Sequence, residues 1–363
     1  NPFAASVSQY RTLSGSYINL SKRLQYAVQG FSQTEFFYGY LPGLYYDPSY
    51  AFIDRDFAIA TRTARGGSVY SIYPLNRYSR LELSAALYNF NEQYDDPTVA
   101  ELAKQYEEQY YGTTVFNNGN IMPLGITFTN ETTIFREFGP LAGKTLRAGY
   151  EIAPKIGGFL SRQTADLDAR YYMRIGTTGL LALRGRGFKS WGDYPDFLYF
   201  GGNSEMRGYE YLEFLGHSVG FANAELRFPL IEAMATPIGV MGGIRGVFFF
   251  DIGGAALKGQ PFTFATNQSD IVDTIAGWQF DPVTGGFVPI PGEKKQITGF
   301  RLVDGRASYG VGLETFALGF PIHFDWAWRT LFNKDWEDAV FAANGGSSWF
   351  RKSRFAVWIG YDF

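Results

Sequence analysis

Short segments in which apolar and polar residues alternate recur along most of the chain. Tyr309, Val311 and Leu313 alternate with Ser308, Gly310, Gly312 and Glu314. Ile322, Phe324, Trp326 and Trp328 do so with His323, Asp325, Ala327 and Arg329, and the same period runs through 80–88, 145–152 and 166–174. A period of two is that of a β-strand whose faces meet different surroundings. Strands are predicted near 5–12, 14–20, 22–31, 33–41, 53–63, 66–74, 79–90, 122–133, 143–153, 164–175, 178–187, 219–230, 243–253, 305–315, 318–329 and 354–363, about sixteen in all. In the last of these Phe355, Val357, Ile359, Tyr361 and Phe363 share the outward face.

The connections sort by length. Those at 21–22, 75–76, 176–179 and 317–319 are tight, whereas 91–121, 188–218, 254–304 and 330–353 are long, and the two kinds fall on alternate connections. An up-and-down transmembrane barrel has that pattern, with tight turns and both termini periplasmic and the long loops extracellular. A soluble sandwich also alternates, but its polar face meets water. Aromatics clustered near segment ends, and a final strand closing on Phe363, favour lipid. A spanning helix needs about 20 mostly apolar residues. The nearest stretch, 233–257, is broken by Pro237, several glycines, Arg245 and Asp251. The expected fold is therefore all-β: a sixteen-stranded antiparallel transmembrane β-barrel with long extracellular loops, occupying 1–363. The chain opens at Asn1 without a leader, so a periplasmic N-terminal region of the full protein is expected to lie outside it.

Composition agrees. Aromatics are 18% of the 363 residues and charged residues 18%, the latter below the roughly 25% usual for soluble domains. With no cysteine, a disulfide scaffold and thiolate chemistry are excluded. A net charge of -3 gives no basic excess, so nucleic acid is not an expected partner. Within the first long loop Asp96, Pro97 and Gly112 bracket helically spaced Val99, Leu102, Ala103, Tyr106 and Tyr110. The segment reads as a helix over 97–111, lying on neighbouring loops or acting as a plug or a partner-docking surface. Enzymatic chemistry finds no support. His217 and His323 are far apart, and H-E-x-x-H does not occur. A lipase-type His-Ser pair would need His323 outward, yet the alternation turns it inward. No catalytic residue, cofactor or metal cluster is expected.

The most informative segment is Phe200-Gly201-Gly202-Asn203-Ser204-Glu205-Met206-Arg207-Gly208-Tyr209, followed by the stretches 223–230 (NAELRFPL) and 249–253 (FFDIG). By parity Glu225 and Asp251 both face the lumen on adjacent strands, where two carboxylates repel unless a cation lies between them. Arg207, with its planar fork, is the candidate cation; Gly208 relieves crowding and Tyr209 packs on the wall. An exposed loop with an incidental Arg-Gly-Tyr is the alternative.

These residues together resemble the outer-membrane assembly-factor superfamily of BamA and TamA, the bacterial surface antigen barrels. The likeness covers nearly the whole chain and extends to the stretch 73–82 (YPLNRYSRLE). It implies a sixth extracellular loop folded into the lumen, with Arg207, Gly208 and Tyr209 at its tip and Glu225 and Asp251 as acidic partners. It also implies a lateral seam between first and last strands, at which Gly360, Tyr361 and Phe363 would lie and a client strand would add. Gly360 either weakens that pairing or fits the curvature of the wall. Two departures stand out: periplasmic POTRA repeats are absent, and Trp358 stands about where the family's C-terminal signal has glycine. The implied function is assembly or insertion of outer-membrane proteins. The alternatives are a two-partner-secretion type polypeptide export pore and a passive diffusion porin. The implied partners are outer-membrane phospholipid and lipopolysaccharide, client β-barrel proteins or an exported polypeptide, and periplasmic or lipoprotein accessory subunits.

Overall fold

The computed structural model describes residues 12–38, 59–94, 118–136, 139–176, 178–236, 239–281, 286–317 and 320–360, with Pro97, Ala100, Glu101, Lys104, Gln105 and Glu108 between them. Thirteen wall strands follow one another in chain order. They are β1 (Leu13–Asn19), β2 (Gln25–Tyr38), β3 (Ile59–Pro74), β4 (Ser79–Tyr94), β5 (Leu124–Glu131), β6 (Gly139–Ala153) and β7 (Arg162–Ile175). The second half comprises β8 (Gly179–Gly192), β9 (Ser218–Thr236), β10 (Gly239–Ala256), β11 (Arg306–Ala317), β12 (Phe320–Thr330) and β13 (Arg354–Ile359). Each pairs antiparallel with its chain neighbours, and short strands at 119–121 and 134–136 complete a 15-stranded sheet. The order begins at β1 and ends at β13, and among the described residues these two do not pair.

Strand direction sorts the connections. Among the fully described connections, those at 20–24 and 75–78 lie at one end of the sheet. The longer ones at 154–161, 193–217 and 331–353 lie at the other.

Two pairs of expected strands prove to be single strands. The described residues of 22–31 and 33–41 share one strand, β2, and those of 53–63 and 66–74 share one strand, β3. The expected breaks at 32 and 64–65 lie inside the ladder, where Ser32 pairs with Arg65 and Gln33 with Ala64. Next to them Gly66 sits opposite Phe31 on one side and Tyr88 on the other, and a Cβ there would run into the Leu87 carbonyl oxygen. Bare backbone is needed at that position for close strand approach. The wall order thus has thirteen described positions where sixteen strands were expected, and the strand expected at 5–12 lies outside the described residues. Within the expected helix, the described positions 97, 100, 101, 104, 105 and 108 are helical.

The polarity of the sheet is inverted relative to a water-soluble fold. Phe248 is 51% exposed, and Leu226, Phe250, Tyr309, Val311 and Leu313 are exposed with it. On the opposite face Glu225, Arg227, Asp251, Glu314, His323, Asp325 and Arg329 are buried. Water would penalise the apolar face of such a wall, whereas a hydrocarbon surround favours it. Among the described residues no helix is long and apolar enough to cross a membrane.

Candidate functional site: a buried arginine on the polar face

The connection between β8 and β9 forms a compact hairpin. At its base Leu198–Phe200 pairs with Phe214–Gly216. Beyond the base, reciprocal backbone bonds between Gly202 and Met206, both 3.2 Å, close a tight loop. Its side chains Phe200, Met206 and Tyr209 are buried against Phe188, Val219 and Phe221 of the sheet. Phe200 stacks on Phe221 with ring centres 5.0 Å apart. Apolar packing thus fixes the hairpin, which delivers the next residue to the polar face.

That residue is Arg207. Its Nε and Nη2 donate to the two carboxylate oxygens of Asp251 at 2.9 and 2.7 Å, and its backbone N–H donates to Asp251 Oδ2 at 3.1 Å. Nη1 reaches Glu225 Oε1 at 2.7 Å. Glu225 is held from its other side by Arg227, through Nε at 2.7 Å and Nη2 at 2.6 Å. The Asn223 amide donates to Asp251 at 2.9 Å and to the Glu205 carbonyl at 2.6 Å, joining the hairpin to β9 and β10. Below the guanidinium lies the Phe249 ring, 3.8 Å from Cζ. The cluster holds two cations and two anions with Glu225 and Asp251 at 1% and 0% exposure, so its charges balance inside the wall. Buried ions persist only when paired in this way. Chemically the cluster is a clamp, in which each carboxylate is held by an arginine.

Gly208 turns the chain at φ +85, and a Cβ there would approach Ala327 Cβ to 3.1 Å. The Tyr209 hydroxyl donates to the Ala307 carbonyl at 3.2 Å, crossing to β11. Glu210 then meets Arg354 of β13 at 2.7 Å. A cavity of about 110 Å³ separates the hairpin tip from β13, lined in part by Asp325 and Trp358. Trp358 donates from Nε1 to Asp325 at 2.7 Å and stacks on His323, 3.7 Å between ring centres. His323 Nε2 donates to the Gly360 carbonyl at 2.9 Å.

The structure therefore brings Arg207, Gly208 and Tyr209 onto the face carrying Glu225 and Asp251. Gly360 follows β13 in a bend, and Tyr361 and Phe363 lie outside the described residues. Sequence reasoning did not single out Asn223, Arg227 or Phe249. The first two stand two positions either side of Glu225, so period two alone put them on its face.

A family model, the Omp85 superfamily domain, matches residues 44–363. The chain belongs to the Omp85 superfamily. Among solved structures it is similar to BamA from Haemophilus ducreyi lacking POTRA domains 1-3, with a TM-score of 0.55 and 12% identity over 88% of this chain and 58% of that one. At that identity the likeness is one of fold. Looser likenesses are to CdiB from Escherichia coli (TM-score 0.40, 13% identity, 86% of this chain and 47% of that one). CdiB from Acinetobacter baumannii gives 0.43 and 12% over 90% and 47%. The chain thus spans 58% of the BamA structure and less of the others. No curated protein sequence matches it. Family, strand-rich fold and exposed apolar face identify an outer-membrane β-barrel protein of a protein insertion and transport family.

Proposed function

We propose that this Omp85 chain is the membrane barrel of an assembly factor that inserts client strands at a seam between its first and last strands. The observation that carries the reading is the strand order, which ends at two short strands, Leu13–Asn19 and Arg354–Ile359, each paired on one side among the described residues. An edge strand presents a row of N–H and C=O groups that a client strand can satisfy by β-augmentation. Gly360, Tyr361 and Phe363 would lie at that seam. The hairpin held by Arg207 would occupy the lumen of the closed wall, where it supports β9 to β12 while the seam opens.

Clients are unfolded β-barrel proteins, lipid is phospholipid on one side and lipopolysaccharide on the other, and periplasmic or lipoprotein subunits would deliver the client. Two experiments test this. Depleting the protein in cells should lower many outer-membrane proteins together; loss of a single secreted product would instead mean export. The chain has no native cysteine. Cysteines stepped along Ser14–Ser16 and Phe355–Ile359 can therefore tether the two edges. A tether that forms and stops insertion of a urea-unfolded barrel into vesicles supports the seam; full insertion through a tethered seam refutes it.

A further inference from the structure

At the short-connection end, two hairpin turns lie side by side next to β1, which among the described residues pairs only with β2. Arg23 joins them, donating from Nε to the Pro74 carbonyl and from Nη2 to the Leu75 carbonyl, both at 2.9 Å. Each turn is shaped by its own asparagine. Asn19 Oδ1 accepts from the Ser21 N–H at 3.0 Å, and Asn76 Oδ1 accepts from the N–H groups of Tyr78 and Ser79 at 2.8 and 2.9 Å. The side chains left outward are cationic, aromatic or aliphatic. Lys22 and Arg77 are exposed, and Arg77 lies over the Tyr78 ring at 4.8 Å. Leu20 is 67% exposed, with Leu24, Leu75 and Tyr78 exposed beside it.

The charge is one-sided. Residues 12–34 contain Lys22 and Arg23 and no acid, and 57–81 contain Arg62, Arg65, Arg77 and Arg80 and no acid, in a chain of net charge -3. The first acid beyond, Glu82, is taken by Arg80 at 2.7 Å. Arg23 donates to neutral carbonyls, and among the described residues no carboxylate lies at salt-bridge distance from it. The leucines and tyrosines of the turns run on into the exposed apolar face of the same strands at Tyr26, Val28, Val69 and Leu83. Whatever covers that face covers the turns as well, and it must be apolar below and anionic at the level of Lys22 and Arg77. A bilayer carrying anionic headgroups meets both demands, through rings and alkyl stems at the interface and cations at the phosphates.

We propose that the paired turns 20–24 and 75–78 bind the phosphate of an anionic phospholipid in the leaflet at the short-connection end, beside the edge of the sheet. The site rests on the membrane reading of the wall and not on insertion activity, so it is tested without a client. The full chain carrying Ser21→Cys is labelled with a fluorophore and placed in vesicles containing either brominated phosphatidylglycerol or brominated phosphatidylcholine at equal mole fraction. Phosphatidylglycerol should quench more strongly, with a preference of roughly threefold to tenfold for two to three nearby cations. Lys22→Gln with Arg77→Gln should abolish the preference, and Lys22→Arg with Arg77→Lys should retain it. Heat-modifiable gel migration shows whether each variant is folded. Where the glutamine pair does not fold, salt titration of the labelled parent decides, since half a molar salt should remove most of an electrostatic preference. Equal quenching by the two lipids, or a preference that ignores salt, overturns the proposal. Abolition by millimolar inorganic phosphate would mean a free-anion site, and overturns it too.

Discussion

Replacing Arg207 by alanine strips Asp251 and Glu225 of a shared cation, but the loss falls unequally. Glu225 keeps Arg227, at 2.6 Å from Nη2. Asp251 keeps the Asn223 amide at 2.9 Å and the backbone N–H of residue 207, with no cation at salt-bridge distance among the described residues. Breaking a fully buried ion pair from one side costs about 3–5 kcal/mol, most of it the unpaired charge. The cost should therefore follow Asp251. Arg207→Ala with Asp251→Asn should recover about half of the loss, because the remaining amide needs no counter-charge. Arg207→Ala with Glu225→Gln should recover none, since it leaves Arg227 without its carboxylate. Arg207→Lys keeps the charge but not the fork, and should cost about 1–3 kcal/mol. Urea unfolding in detergent micelles, read as the midpoint of the heat-modifiable gel shift, measures all four. A midpoint in Arg207→Ala equal to wild type would refute the reasoning, as would equal rescue by the two double variants.

Gly208→Ala forces an L side chain to φ +85 with its methyl 3.1 Å from Ala327 Cβ, so about 2 kcal/mol of hairpin stability should go. Faster proteolysis at 200–214 would register that loss, and unchanged cleavage would contradict it. Trp358→Phe keeps a ring on His323 but leaves Asp325, 4% exposed, short of a donor. A cost of about 1–3 kcal/mol should appear as faster hydrogen exchange confined to 354–359. Burial first, and then the positive charge of Lys258, hold the His217 imidazole down to about 4, against an offset from Asp196. The unfolded chain, titrating near 6.5, takes up a proton that the folded loop refuses, so stability is full above about pH 6.5 and is lost as pH falls towards 4. Exchange protection at 193–217, corrected for intrinsic rates, should drop between pH 7 and 4.5 in wild type and stay level in His217→Asn.

What was legible followed from backbone period. Counting by twos puts Glu225 and Asp251 on one face because alternation is a property of any strand, and the ladder sets Asn223 opposite Asp251 with Glu225 opposite Phe249. The clustering of tight and long connections at opposite ends is legible for the same reason. Strand length was misread: the breaks expected at 32 and 64–65 fall inside β2 and β3, whose ladder runs on through Ser32, Ala64 and Arg65. Contacts that join distant segments leave no periodic trace. Glu210 and Arg354 are 144 positions apart, and the Trp358–Asp325 bond depends on the β12–β13 register. Pro97 and Gln105 could be placed in a helix from capping residues, whereas its packing has no sequence signature.

The strengths of the two anchorages bear on what can move. The hairpin tip is tied to β9 and β10 by charges buried in the wall, and removing it would strand carboxylates that solvent does not reach. The last strand is held differently. Its ion pair joins Arg354 to Glu210, which is 77% exposed, and such a pair is worth about 0–1 kcal/mol. Beyond the ladder to β12 its ties include the Trp358–Asp325 bond, the ring stack on His323 and the contact of the Phe355 and Trp326 rings at 4.9 Å. If β13 leaves β12, those contacts break while the Arg207 cluster keeps every partner it has, because none of its members lies on β13. A seam opening at β13 would then leave the hairpin in place, and Trp358, standing where the resembled signal has glycine, would set the resistance to opening.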